Sequence, residues 1–305
     1  PEVGTLYHHC NGEWTELSDA GAVGSGQWSK PLPFVPYVWL GNEERGLAWW
    51  CESDWNWHNP DPTRALEIAH TPQGTDLIVR FIAGETTLNR PMELTFGFMA
   101  TPVKPLPAGW RNWNPMFISA TNLESFAASD RWLVPGMRNI GVLWNSHVGS
   151  FSYLPADPAE MARKVALLRE AGWRPLVSYF AMNGTQVGTP DYLLAEEEMR
   201  RDPYRESTVE TGNYGAVCQA SIWADLLIWC MDRTMELTGT DGVYIDCSSP
   251  HFCRSSLHGC DHGRYPLLGA RELQKRIYNL VHARRGGDGL VYSHVSESVF
   301  MTTYS

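Results

Sequence analysis

About a third of the way along, the hydrophobic pattern of this chain changes period, and that change limits the folds open to it. Up to about residue 107 there is almost no helical period. Short apolar runs at 35–40, 46–51, 65–70, 77–83 and 92–100 are separated by Gly, Pro, Asn and Asp, the spacing of an antiparallel sandwich. Leu77–Ile82 and Glu93–Met99 are the clearest strands. Pro102, Pro105 and Pro107 then form a stiff exit. From about 138 the pattern alternates between short β-rich runs and amphipathic helices. Strands are expected at 139–144, 174–180, 242–246 and 289–295, and helices at 157–171, 190–201, 219–237 and 269–285. Such alternation argues for parallel βαβ units. The expected architecture is multidomain, β plus α/β. An antiparallel β-sandwich covers 1–107, a linker 108–137, and a (β/α)8-type barrel 138–305. A closed barrel needs about 200–250 residues, so the barrel is expected to be incomplete in this chain. The segment 202–218 has no clear period and has room for a further strand.

The helix starts and stops carry their own chemistry. Asp157-Pro-Ala-Glu160 supplies an N-cap carboxylate, a proline in the first turn and an acid three residues on. Met161, Val165 and Leu168 make the buried stripe, and Gly172 ends that helix. Gly239 closes the apolar run 222–237 in the same way.

With 305 residues, 43% hydrophobic and 19% charged, the chain can bury a substantial core. Its net charge of -10, with acids and bases interspersed, leaves no basic footprint for nucleic acid or anionic lipid. No apolar stretch approaches the roughly 18–20 residues of a membrane span. The start, Pro-Glu-Val-Gly, has no charged-then-apolar signal pattern; if such a segment was removed, a secreted or periplasmic location is expected. Seven cysteines, an odd number, exclude a fully paired disulfide set. Cys10, Cys51, Cys218 and Cys230 read as isolated, the last two as buried thiols in or beside a helix. Fourteen tryptophans suit either a sandwich core or faces for pyranose rings. The band Trp39–Trp57, with its acids, reads either as a sugar contact or as glue between domains.

Candidate chemistry centres on Gly239-Thr-Asp-Gly-Val-Tyr-Ile-Asp246-Cys-Ser-Ser-Pro250. This is a helix stop, a short buried strand, and an acid at the strand's end. Along 242–246 Val243 and Ile245 would face the helix layer, while Tyr244 and Asp246 face the barrel axis. Asp is disfavoured in strands, and barrel enzymes keep catalytic groups at the C-terminal strand ends. Asp246 is therefore a candidate nucleophile or partner of developing positive charge, the alternative being a loop-bracing Asp. Asp241 precedes the strand and would lie on the opposite, stability face. Other strand ends offer Trp144, Asn145, His147, Tyr179, Asn183 and His294 for substrate. Glu297 is the in-chain candidate for a second carboxylate, with a solvated loop glutamate as the alternative.

After Asp246 comes Cys247-Ser-Ser-Pro-His251-Phe-Cys253-Arg-Ser-Ser-Leu-His258-Gly-Cys260-Asp-His262. Cys253, His258, Cys260 and His262 could form a tetrahedral zinc site. A Cys253–Cys260 disulfide, or simple loop packing, is the rival reading. No Walker, Rossmann, G-x-S-x-G or H-E-x-x-H pattern occurs.

The stretches Trp39-Leu-Gly-Asn-Glu-Glu-Arg-Gly-Leu, Ala100-Thr-Pro-Val-Lys-Pro105, Asp241-Gly-Val-Tyr-Ile-Asp-Cys247, and His258-Gly-Cys260 followed by Arg271-Glu-Leu resemble a group of bacterial proteins related to glycoside hydrolase family 123. The resemblance implies an N-terminal β-sandwich joined to a (β/α)8 barrel. It also implies hydrolysis of carbohydrates, N-acetylgalactosaminides being the best-known substrates. That family uses an adjacent Asp-Glu pair with the substrate's acetamido group as nucleophile, whereas here Asp246 is followed by Cys247. Asp246 more closely resembles the strand-four nucleophile of retaining α-glycosidases such as the α-galactosidases. The functional expectation is a glycoside hydrolase acting by a two-carboxylate mechanism on a carbohydrate substrate. No cofactor is required, and a structural zinc is optional. The alternatives are a non-catalytic carbohydrate-binding scaffold and a zinc-dependent hydrolase using the Cys/His loop.

Overall fold

The structure, a computed structural model, describes residues 7–10, 13–16, 28–42, 44–118, 123–128, 130–143, 154–182, 184–202 and 214–294. Two compact units organise the chain: Pro1–Pro105 with His262–Tyr265, and Leu106–Asp261 with Pro266–Ser305.

Every strand pair of the first unit is antiparallel, with one isolated parallel bridge between His58 and Ile82. Its strands are β1 (Tyr7–Cys10), β2 (Glu13–Glu16), β3 (Trp28–Leu32), β4 (Tyr37–Gly41), β5 (Gly46–Cys51), β6 (Leu66–Thr71), β7 (Gly74–Val79) and β8 (Phe96–Thr101). They form one five-stranded sheet in the order β2-β1-β4-β5-β8 and one three-stranded sheet in the order β3-β6-β7. Val38 and Trp49 from the first sheet share a core with Leu32, Leu66 and Ile68 from the second. Burying such side chains stabilises by about 1.5–3 kcal/mol each. Trp49 is thus a core residue, with the Trp57 ring edge-on to it at 6.4 Å. Trp39 lies flat over two glycines: a Cβ on Gly41 or Gly46 would come within 2.5 Å and 2.4 Å of its ring. β7 starts three residues earlier than expected, because Thr71 pairs directly with Gly74 across a tight turn.

The second unit is α/β. Its strands are β9 (Trp113–Ile118), β10 (Arg138–Leu143), β11 (Leu176–Ala181), β12 (Gly184–Gln186), β13 (Tyr214–Ala216), β14 (Gly242–Asp246) and β15 (Leu290–Ser293). Its helices are α1 (Leu123–Ala128), α2 (Pro158–Glu170), α3 (Pro190–Met199), α4 (Trp223–Thr238) and α5 (Leu267–Arg285). Strands β9, β10, β11, β14 and β15 pair in that order, every pair parallel. This is a curled parallel half-barrel sheet, and β14 is its fourth strand. β12 and β13 make a separate antiparallel ribbon.

Local chemistry explains the elements. Asp157 Oδ1 accepts the Glu160 N–H at 2.9 Å and starts α2. Gly239 stops α4 in the left-handed region, φ 74°. Outward residues of the sheet pack on the helices: Phe180, Val243, Ile245 and Val291 meet Leu227, Met231 and Met235 of α4 and Leu273, Ile277 and Val281 of α5. Ile118, Leu143 and Leu176 meet Met161, Val165 and Leu168 of α2. The inward set, Ile140, Val142, Val177, Tyr179, Ala181, Tyr244 and Leu290, forms a second core on the concave side.

One difference from the sequence-based expectation concerns 108–137, read as a linker. It carries β9 and α1. Pro115 argues against a strand inside a sheet, but among the described residues β9 lies at the sheet's edge, where the missing N–H is tolerated. At the N-terminal edge of the sheet, Asp241 accepts from Arg169 Nη2 at 2.8 Å and from the Leu176 N–H at 2.9 Å. That carboxylate ties α2 to the bases of β11 and β14.

The base of β14 is also where two backbones come closest. A Cβ on Gly242 would sit 1.9 Å from the Leu290 carbonyl oxygen, whereas a Cβ on Gly287 would meet nothing within 4 Å. Gly242→Ala must push β15 away. It is expected to cost about 3 kcal/mol or more, lowering the thermal midpoint by roughly 6–12 °C. Gly287→Ala serves as the control and should leave the midpoint unmoved in calorimetry. Equal midpoints for the two variants would contradict the close approach.

Candidate active site

Three neighbouring strands place one tyrosine each in register, Tyr179↔Tyr244 and Tyr244↔Tyr292. All three belong to the concave face, because side chains alternate along each strand. The Tyr179 and Tyr244 rings stack at 5.6 Å and 21°. Tyr292 and Phe117 stand edge-on to Tyr244 at 5.4 Å and 5.1 Å. Tyr179 and Tyr244 are each 6% exposed, so they form a buried aromatic floor.

Asp246 stands at the rim of that floor, at the C-terminal end of β14, and its side chain is 22% exposed. Tyr179 Oη donates to Oδ2 at 2.6 Å. His294 Nδ1 meets Oδ1 at 2.8 Å. The N–H of Cys247 also reaches Oδ1, at 2.8 Å. To present that N–H, Cys247 adopts φ 51°, a left-handed conformation costly for a residue with a Cβ and typical of functional sites. His294 is held in turn: its N–H bonds the Ile245 carbonyl at 2.8 Å, and its carbonyl accepts from Ser248 Oγ at 3.0 Å. Buried Gln219 braces the rim by donating to the Met182, Ser248 and Ser249 carbonyls.

These contacts set the electrostatics. Burial is the largest single influence on the Asp246 carboxyl and raises its pKa. Hydrogen bonds from Tyr179, His294 and the Cys247 N–H, with the charge of His294, outweigh it, so the carboxyl titrates below its ordinary value. Burial, and then the neighbouring Asp246 carboxylate, push the Tyr179 hydroxyl up. Burial and Asp246 push Tyr244 up in the same way. At neutral pH the site therefore holds an ionised aspartate over neutral phenols. A carboxylate offers about four acceptor positions; among the described residues three are taken, two on Oδ1 and one on Oδ2.

Of the residues singled out from sequence, Asp246, Tyr179, Tyr244 and His294 come together here. Trp144, Asn145, His147, Asn183 and Glu297 lie outside the described residues. Cys253, His258 and Cys260 gather in a separate cluster, but His262 does not join them. Its ring stacks on Trp55 at 3.9 Å and 4° within the first unit. The sequence reading missed Gln219, Ser248 and Cys218. Gln219 lies between Cys218 and an apolar helix, where a buried polar side chain has no periodic signature.

No protein-family model matches the chain, and no curated protein matches it in sequence. Solved structures do. The galactosidase domain of an alpha-galactosidase–sucrose kinase is 12% identical, with a TM-score of 0.51 over 99% of this chain and 48% of that one. An alpha-galactosidase from Lactobacillus brevis is 11% identical, with a TM-score of 0.51 over 99% of this chain and 47% of that one. A GH36 alpha-galactosidase variant from Geobacillus stearothermophilus, solved with stachyose, is 10% identical, with a TM-score of 0.50 over 95% and 47%. The chain spans about half the length of these proteins and shares its fold with them. The likeness is one of fold alone, and it does not speak for family 123.

The donors to Asp246 make a prediction about its titration. A carboxyl held low in the folded state contributes stability above the ordinary aspartate value, about 3.9, and that contribution disappears as pH falls through the folded value. The stability difference between wild type and Asp246→Asn is therefore expected to shrink on acidification below about pH 4. Tyr179→Phe removes a donor to the charged form, so Asp246 should titrate at higher pH than in wild type. Carboxyl carbon NMR reads this directly, and an unmoved Asp246 titration would remove Tyr179 from its control.

Proposed function

We propose that this chain is part of a glycoside hydrolase in which Asp246 acts as nucleophile or as electrostatic stabiliser of an oxocarbenium-like transition state. The observation that carries the reading is an ionised aspartate, depressed in pKa, at the C-terminal end of the fourth strand of a parallel half-barrel. That position is where barrel enzymes hold their reacting groups. A general acid needs a raised pKa, whereas the hydrogen bonds around Asp246 favour its charged form, which suits the other role of the pair. The acid/base must then be a second carboxyl, about 5–5.5 Å away for retention or roughly 6.5–9.5 Å for inversion. Glu297, three residues beyond His294, remains the in-chain candidate.

Tyr179 and His294 act in this reading by holding the carboxylate. Their hydrogen bonds keep it ionised and fix its plane. Tyr244 and Tyr292 complete an apolar, water-poor floor beneath it, which strengthens the attraction between Asp246 and developing positive charge. The fold shared with alpha-galactosidases supports the sugar-cleaving class. α-Galactosides and N-acetylgalactosaminides are the first substrates to try.

Asp246→Asn keeps the shape and removes the charge. On a panel of aryl glycosides the expected loss in kcat is at least about 10³-fold, at an assay temperature where the somewhat less stable variant is still folded. Asp246→Ala with added azide separates the two roles: a nucleophile's site is rescued with formation of a glycosyl azide, a stabiliser's site is not. Wild-type turnover by Asp246→Asn would sink the reading, and oligosaccharide binding without any hydrolysis by wild type would favour a sugar-binding scaffold.

A further inference from the structure

A second constellation lies in the same unit and takes no part in the site above. Cys218, two residues after β13, meets Cys253 and Cys260 from the loop after β14 in one buried cluster. The three are 1%, 0% and 1% exposed. His258 turns its Nδ1 to Cys253 Sγ at 3.4 Å. The ligating atoms of Cys218, Cys253 and His258 all lie within 4.8 Å of one another. We infer that Cys218, Cys253, His258 and Cys260 are the four ligands of a structural zinc ion, in a Cys3His site bound through His258 Nδ1.

The distances fit. With Zn–S near 2.3 Å and Zn–N near 2.0–2.1 Å, tetrahedral geometry puts ligand atoms about 3.5 Å apart for S···N and about 3.8 Å for S···S. The imidazole is already arranged for that role. His258 Nε2 lies 2.7 Å from the Glu198 carbonyl oxygen, a contact that places the ring proton on Nε2 and leaves the lone pair on Nδ1. This carbonyl–histidine pairing is the usual outer contact of a metal-bound imidazole. The sulfurs have outer contacts too: the Ala220 N–H donates to Cys218 Sγ at 3.4 Å.

The chain between the ligands is shaped to converge. A 3-10 turn, Ser256–His258, is closed by Gly259 at φ 63°. The Cys260 N–H returns to the Ser255 carbonyl at 2.9 Å. A left-handed glycine between His258 and Cys260 lets two adjacent ligands point to one centre. The C-x4-H-x-C spacing supplies three ligands, and Cys218 supplies the fourth from 35 positions upstream of Cys253. Four protein ligands in a buried cluster leave no open position, which marks the site as structural rather than hydrolytic. Binding converts three thiols to thiolates and releases their protons to solvent, so uptake should strengthen as pH rises. The inference stands apart from any reading of Asp246.

Elemental analysis of protein purified reduced from zinc-replete cells tests it. Wild type and His262→Ala should each carry about one zinc per chain, and Cys218→Ser should lose most of it. Should Cys218→Ser fail to fold, the wild type still decides. Cobalt-exchanged protein should show the intense visible bands of a tetrahedral ion with thiolate-to-cobalt charge transfer. Cys218→His should keep a tetrahedral ion with weaker charge transfer. Zinc below about a tenth of an equivalent in reduced wild type, full zinc in Cys218→Ser, or a disulfide among the three cysteines on mass mapping would each overturn the assignment.

Discussion

A parallel strand covered on both faces has few places for a charge, and its ends are the best of them. β14 obeys that constraint. Val243 and Ile245 are sealed under α4 and α5, Tyr244 is sealed under the concave core, and all three are 6% exposed or less. Asp241 and Asp246 are pushed to the two edges of the sheet. Everything assigned to the candidate site follows from this arrangement, because the sheet's register then brings Tyr179 and His294 to the edge where Asp246 emerges. The register depends in turn on Gly242, whose lack of a side chain lets β14 and β15 pair at the base.

The two aspartates of this strand are satisfied by different kinds of partner, and the difference separates structure from chemistry. Asp241 pairs with the Arg169 guanidinium and a backbone N–H. A permanent cation cancels its charge, and what it holds together is α2 and two strand bases. Asp246 has a phenol, an imidazole and one backbone N–H. Phenol and amide orient and stabilise the carboxylate without cancelling its negative charge, and an imidazole cancels it only when protonated. The fold keeps its arginine-paired acid at the N-terminal edge of the sheet and Asp246 at the C-terminal edge, where the proposed chemistry would take place.

Much of this was legible in the sequence where the signal is local. Asp157, Gly172 and Gly239 mark helix ends by chemistry that needs no tertiary context. The alternation in 242–246 predicts which way Tyr244 and Asp246 turn, since a strand has period two. Signals that depend on the fold were not legible. Pro115 hides β9, because only topology reveals that this strand lies at an edge. The strand expected to start at Leu77 starts at Gly74, since turn geometry rather than hydrophobicity sets hairpin register. Cys218 read as an isolated thiol, and His262 as a ligand, because spacing along the chain cannot show that α4's leading segment folds against the loop while His262 stacks on Trp55.

That loop explains why a metal staple would matter to the rest of the unit. Between Asp246 and Asp261 the only regular structure is the turn Ser256–His258. Its larger apolar side chains contribute little anchoring, since Phe252 is 39% exposed and Leu257 65% exposed. Fixing each residue's backbone costs roughly 1–2 kcal/mol, and few buried contacts offset that cost here. The contacts that do exist converge on one spot. Arg254 N–H bonds the Arg201 carbonyl, Cys218 N–H bonds the Met199 carbonyl, and His258 bonds the Glu198 carbonyl. The loop is thus fastened to the end of α3 and to the segment before α4 through the cysteine cluster. Since the loop begins at Cys247, the residue strained to serve Asp246, whatever orders the cluster also holds one of the three donors at the carboxylate.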